Sequence, residues 1–288
     1  MTKAMLIDTT LCTGCRGCQV ACKQWNDLPA ERTINLGTYQ NPLRLSASTW
    51  ALVQMREVEY NGKLYWTFLR RSCMQCLHPA CVSACPVGAM HQTPEGLVLY
   101  NDARCIGCRY CMTACPFRIP RFEWKQALGY IRKCTFCADR QAEGLPPACV
   151  KTCPSGALRF GERQEMIALA EARIAKHPER YVHHVYGKDE GGGTRMLILS
   201  AVPFEYLGLP TLSREPVPTL KDVLNPFEYL GLPTLGDEPV TELNDTLAHY
   251  GTPALAVGVA AILAGMQWYS RRRAHNEAAA TKPEEREQ

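Results

Sequence analysis

At 288 residues the chain is long enough for one large or two small domains with real hydrophobic cores, and its 46% hydrophobic and 21% charged residues are those of an ordinary globular protein. A formal charge of +4 admits an anionic partner, but 16 cysteines are the composition's distinctive feature. They fall in four groups, too tightly spaced within each group to staple distant segments, which excludes a disulfide framework.

The opening residues MTKAMLIDTT have no long apolar core and no small-residue cleavage site, predicting no secretory leader and, taken alone, a cytoplasmic protein. Ala4 to Asp8 predicts a short strand leading into the first cysteine group, CTGCRGCQVAC (Cys12, Cys15, Cys18, Cys22). A polar, proline-containing stretch follows to about Ser48. From Trp50 to Arg70, WALVQMREVEY and KLYWTFLR flank Asn61-Gly62, a pair that tolerates the positive φ angles of a tight turn. This predicts a β-hairpin inserted at 48–70. Its aromatics, Trp50, Tyr60, Tyr65, Trp66 and Phe68, read as core or cover rather than as a binding platform.

The second and third groups are CMQCLHPACVSAC (Cys73, Cys76, Cys81, Cys85) and CIGCRYCMTAC (Cys105, Cys108, Cys111, Cys115), with a strand expected between them at Glu95 to Asn101. The fourth is CTFC followed by ACVKTC (Cys134, Cys137, Cys149, Cys153), opened by an insertion ending in Pro146-Pro147. SGALRFG then predicts a strand, and Glu162 to His177 a helix burying Met166, Leu169, Ala170 and Ile174. Tyr181 to Asp189 is polar and carries histidines; GGGT at Gly191 to Thr194 reads as a turn before the strand RMLILSAV. No strand-GxGxxG-helix pattern supports a nucleotide site.

PFEYLGLPTL occurs unchanged at Pro203 to Leu212 and Pro226 to Leu235, a tandem duplication. Two copies are too few for a solenoid, so the segment is either an extended belt on a partner or on the domain, or a tolerated linker duplication. From Thr246 to Ser270 there is no Asp, Glu, Lys or Arg, and the apolar run would span roughly 30 Å as a helix. This predicts a membrane span at 246–270, with a buried helix as its rival. Trp268 and Tyr269 suit an interface belt, and Arg271 to Arg273 place the C-terminus in the cytoplasm and the cysteine domain opposite. Ala254, Gly258, Ala261 and Gly265 form a small-residue stripe that would admit another helix. Residues 271–288 form a cytoplasmic tail on this reading, expected to be disordered after Ala274.

The spacing C-x2-C-x2-C-x3-C, in groups one and three, is that of bacterial ferredoxins, in which three thiolates hold one 4Fe-4S cluster and the fourth reaches a neighbouring one. Zinc, the main competitor, calls for two separated cysteine pairs rather than four thiols within eleven residues. Four 4Fe-4S clusters therefore account for all 16 cysteines. Proline follows the last cysteine at Pro86, Pro116 and Pro154, ending the loop.

Distance along the chain predicts the pairing. Groups two and three form an inner unit at 70–120: Cys73, Cys76 and Cys81 with Cys115, and Cys105, Cys108 and Cys111 with Cys85. Groups one and four form an outer unit from 1–30 and 130–165: Cys12, Cys15 and Cys18 with Cys153, and Cys134, Cys137 and Cys149 with Cys22. The expected fold is α+β, two ferredoxin-like dicluster units related by a pseudo-twofold within residues 1–200, then a duplicated linker at 201–245 and the span.

Sixteen thiolates around four cores of about +2 each shift the net charge by roughly −8, to near −4, which removes the case for a nucleic-acid partner. Arg16, Lys23, Arg104, Arg109, Arg118, Arg132, Lys133 and Lys151 lie beside the ligands and can offset that charge. No CxxC is followed by His, excluding c-type haem. The histidines are scattered; only His249, at the head of the span, is placed to meet a haem or quinone site in a partner. No acid, base or nucleophile constellation is present.

The four groups, the ACVKTCPSGAL segment and the C-terminal span resemble the iron-sulfur (beta) subunit of membrane-bound formate dehydrogenases, within the four-cluster subunits of molybdopterin oxidoreductases; CRGCQVACKQWNDLPAE resembles the formate dehydrogenase branch. VYGKDEGGGTRMLILSAVPFEYLGLP also resembles the four-cluster subunit of membrane-bound nickel-iron hydrogenases, and the doubled PFEYLGLPTL departs from both. The resemblance implies an electron-transfer subunit, not an enzyme on its own. It would pass electrons from a molybdenum or tungsten pterin subunit that oxidises formate to a membrane cytochrome b and quinone. It also implies export with a partner bearing a twin-arginine signal, leaving the cluster domain on the periplasmic side of the inner membrane.

Overall fold

The first strand is where the chain closes on itself. β1 (Lys3–Asp8) lies between two late strands in the order β8-β1-β9, antiparallel to β8 (Leu158–Glu162) and parallel to β9 (Met196–Leu199). Its continuous apolar run suits a strand covered on both faces. Ala4 and Leu6 join Leu197 and Leu199 under α6 (Arg163–Lys176), while Met5 and Ile7 join Met196 and Ile198 in the core that holds Cys18, Cys73, Cys134 and Cys149. The computed structural model describes residues 2–217 except 33, 35, 36 and 125–128. All fall in one unit, Met1–Leu224; the second unit, Asn225–Gln288, lies outside the described residues, as do the expected span at 246–270, the second repeat copy and the tail. Among the described residues no helix is long and apolar enough to cross a membrane.

The predicted hairpin is β2 (Leu52–Tyr60) against β3 (Lys63–Arg71), in register from Leu52 opposite Arg71 to Tyr60 opposite Lys63. Asn61 and Gly62 take φ angles of 52° and 70° at its turn. Trp50, Tyr60, Tyr65 and Phe68 pack on the core, whereas Trp66 is exposed and stacks between Tyr39 and Phe68.

The cysteine-bearing segments carry short elements. α1 (Gly17–Trp25) packs on α5 (Ala148–Lys151), and α2 (Ala80–Ser83) on α3 (Tyr110–Ala114). Two small hairpins, β4 (Met90–Gln92) with β5 (Val98–Tyr100) and β6 (Arg121–Phe122) with β7 (Ile131–Arg132), lie beside α2 and α3 in the chain; α4 (Ala138–Ala142) follows Cys137. The strand expected at Glu95 to Asn101 shortens to β5, because Gly96, at φ 81°, belongs to the turn.

One segment differs from its reading as sequence, and a second takes one of the courses its sequence allowed. In the polar, histidine-bearing stretch, Tyr181, Val185 and Tyr186 are buried and Tyr186 bridges to Ile198, so its apolar residues fasten it to the sheet. The first PFEYLGLPTL copy lies on the domain itself. Phe204, Leu207 and Leu209 are buried, and its carbonyls accept hydrogen bonds from Arg56 Nη1 at Tyr206 (3.1 Å), Arg71 Nη1 at Gly208 (2.9 Å) and Tyr186 Oη at Pro210 (2.7 Å).

Candidate metal centres

Each cysteine group begins with the same backbone device. The residue before the second cysteine has a positive φ: Gly14 (67°), Gln75 (50°), Gly107 (71°) and Phe136 (61°). That conformation turns its N–H back to the cysteine two residues earlier. Gly107 N donates to Cys105 Sγ at 3.4 Å and Phe136 N to Cys134 Sγ at 3.3 Å; Gly14 and Gln75 donate likewise to Cys12 and Cys73. A donor aimed at sulfur stabilises a thiolate.

Two of the four positions are not glycine, and their side chains supply the compensation. Gln75, fully buried, donates to Cys134 O at 3.0 Å and accepts from Val98 N at 2.8 Å, tying groups two and four together through β5. Phe136 is buried edge-on to Phe160, with ring centroids 5.7 Å apart.

The thiols gather in four sets. Cys12, Cys15, Cys18 and Cys153 line one cavity; Cys22, Cys134, Cys137 and Cys149 line a second; Cys85, Cys105, Cys108 and Cys111 line a third. Cys76 faces Cys73, Cys115 and Cys81. Among the described residues no three His, Cys, Asp or Glu side chains converge tightly enough for a single ion.

Burial makes part of each set hostile to unliganded thiolate. Burial pushes the Cys18, Cys81, Cys111 and Cys137 thiols up to about 12, and Cys22 higher still. Cations oppose this. Of the eight basic residues singled out by sequence, only Lys133 is buried; it donates from Nζ to Cys134 O at 3.2 Å and to Val98 O, and it faces Cys73 and Cys81. Arg109 instead lies over the Phe122 and Trp124 rings, and Lys23 donates to Pro29 O and Ser48 O.

Sequence reasoning missed Arg70. It is 4% exposed and lines both the cavity of Cys12, Cys15, Cys18 and Cys153 and that of Cys22, Cys134, Cys137 and Cys149. Burial alone would lower its guanidinium, but facing Cys149, Cys134, Cys18 and Cys22 outweighs this and the net direction is upward. An arginine three residues before Cys73, following the apolar pair Phe68-Leu69 at the end of the strand, was the available signal. Four-thiol sets with N–H donors on sulfur and buried cations fit an anionic iron-sulfur cluster.

Comparison with known proteins agrees. One 4Fe-4S dicluster domain family matches residues 64–163, and another matches residues 11–89. The chain is 45% identical over 213 residues to the nitrate-inducible formate dehydrogenase iron-sulfur subunit of Escherichia coli K12, covering 72% of each. To the formate dehydrogenase iron-sulfur subunit of Haemophilus influenzae it is 42% identical over 214 residues, covering 72% of this chain and 68% of that one. To the hydrogenase-2 operon protein HybA of Escherichia coli O157:H7 it is 36% identical over 242 residues, covering 72% and 73%. Two dicluster domains amount to four 4Fe-4S clusters, and the number of cysteines, 16, fits four clusters.

Proposed function

Since the chain belongs to the family of formate dehydrogenase iron-sulfur subunits, we propose that it is the electron-transfer subunit of such a complex and conducts electrons away from a formate-oxidising partner. The observation that carries this reading is the succession of thiol sets. Cys18 of the first faces Cys149 of the second, Cys73 of the third faces Cys134 of the second, and Cys81 of the third faces Cys111 of the fourth. Each set thus has its neighbour within electrostatic reach, in the succession first, second, third, fourth.

The ligand sets are Cys12, Cys15, Cys18 and Cys153 (first site); Cys134, Cys137, Cys149 and Cys22 (second); Cys73, Cys76, Cys81 and Cys115 (third); and Cys105, Cys108, Cys111 and Cys85 (fourth). The clusters supply reversible one-electron chemistry when bound. The chain's own part is to hold the thiolates, aim N–H groups at their sulfur and exclude water. The electron donor is a molybdenum or tungsten pterin subunit, and the acceptor is a membrane cytochrome b that reduces quinone. Residues 246–270 anchor the chain in the inner membrane, with the cluster domain periplasmic and the C-terminus cytoplasmic.

Anaerobic purification of the complex tests this: formate should reduce all four clusters, and the co-purified large subunit should carry molybdenum or tungsten. Reduction by hydrogen alone, with nickel in place of those metals, would assign the chain to the hydrogenase branch. Cys15→Ser and Cys153→Ser should perturb the same cluster. In intact spheroplasts, external protease should reach residues before Thr246 and spare Arg271 to Arg273.

A further inference from the structure

We propose that Arg70 is a shared counter-cation of the first and second cluster sites, holding both at a higher reduction potential than their thiolate ligands alone would set. This rests on the ligand sets proposed above.

Arg70 is the penultimate residue of β3, opposite Val53, and its side chain enters the wall between the two cavities. A buried guanidinium needs an anion. No carboxylate pairs with Arg70 among the described residues. Nη1 donates to Ser72 Oγ at 2.5 Å, while the buried Nε has no partner. The groups that face it are Cys149, Cys134 and Cys22 of the second site and Cys18 of the first. The missing anion is therefore the pair of thiolate-ligated clusters, and the unpartnered donor is available to their sulfur.

The consequence follows from charge. Reduction adds one negative charge to a cluster, and a fixed positive charge in a low-dielectric wall favours the reduced form. Because the cation is shared, both potentials rise together. Lys133, also buried without a carboxylate, faces the Cys73 and Cys81 thiols of the third site, while its Nζ donates to the backbone carbonyls of Cys134 and Val98. Between the third and fourth sites the packing is apolar instead, with Met90, Val98 and Ile131 grouped around Cys81 and Cys111.

The test is a redox titration, followed by electron paramagnetic resonance, of the anaerobically purified complex carrying Arg70→Met, Arg70→Lys or Lys133→Met. Arg70→Met should shift two of the four clusters toward the oxidised form by about tenfold at fixed potential, a fall of about 59 mV for a one-electron couple. Lys133→Met should act instead on the cluster perturbed by Cys76→Ser. Arg70→Lys, which keeps the charge, should stay within about threefold of wild type.

Unmoved potentials in fully loaded Arg70→Met, equal shifts in all four clusters, or an Arg70→Lys shift as large as that of Arg70→Met would overturn the proposal. Should the neutral variant load poorly, half of the iron should be lost while Arg70→Lys loads fully; loss of all iron, or poor loading of both, counts against it. An error in the ligand sets shows separately, as Cys15→Ser and Cys153→Ser perturbing different clusters.

Discussion

Asp8 Oδ2 lies 2.6 Å from Arg173 Nη1, joining the end of β1 to α6 across 165 positions of chain. Asp8 is fully buried; Tyr181 Oη donates to the same oxygen at 3.0 Å, and Thr10 donates to Oδ1 from its N at 3.0 Å and its Oγ1 at 2.7 Å. One carboxylate thus fixes the helix, the C-terminal crossover and the backbone that enters the Cys12 loop. Asp8→Ala leaves Arg173 without its partner and is expected to cost about 3 kcal/mol. Urea unfolding should show it, and the first site should bleach before the other three; uniform bleaching would argue that the carboxylate does not position that loop.

Two glycines at equivalent places should respond unequally. A β-carbon at Gly14 would meet the Phe68 ring at 3.0 Å, whereas at Gly107 the nearest atom is Phe122 Cε2 at 3.7 Å. Both substitutions carry a left-handed backbone cost of about 1–2 kcal/mol, but only Gly14→Ala also displaces a packed ring. Thermal unfolding should rank Gly14→Ala below Gly107→Ala. The reverse order would mean that the Phe68 ring yields freely.

Cluster loading should release protons. Burial holds the Cys18, Cys81, Cys111 and Cys137 thiols up to about 12, above the roughly 8.5 of an unfolded cysteine, so they are neutral in the cluster-free fold at pH 7. That fold is unpenalised below about pH 8.5 and loses stability as pH rises toward the folded values. Ligation requires thiolates, so anaerobic reconstitution in weak buffer at pH 7 should release protons from the ligand thiols in addition to those lost by the sulfide supplied, and loading should weaken as pH falls. A pH-independent loading equilibrium would contradict this.

The first repeat copy should stabilise the domain it lies on. Leu207 is 1% exposed within the central core, so Leu207→Ala should cost about 2–4 kcal/mol in denaturant unfolding. An unchanged midpoint would mean that this copy is only laid against the surface.

The hairpin was legible because its turn pair and alternating residues are local, and α6 because its apolar spacing is local. The thiol spacing within each group was legible for the same reason: three cysteines on one loop reach one cluster whatever the rest of the chain does. Gln75 and Phe136 were not. Nothing in CMQC or CTFC announces a positive φ, since the compensation comes from Cys134 and Val98 for Gln75 and from Phe160 for Phe136, all distant or out of the motif's reach.

By itself the sequence determined the chemistry: four sets of sulfur ligands, their number and the clusters that suit them, because ligand type and short-range spacing are covalent properties of the chain. Tertiary structure alone decided what surrounds them. Closing β1 between β8 and β9 brings the first and last cysteine groups together, and burying β3 carries Arg70 from the end of a hairpin into the wall between two sites. Those placements depend on long-range burial, in which a cation's neighbours are set by packing and not by its position in the chain.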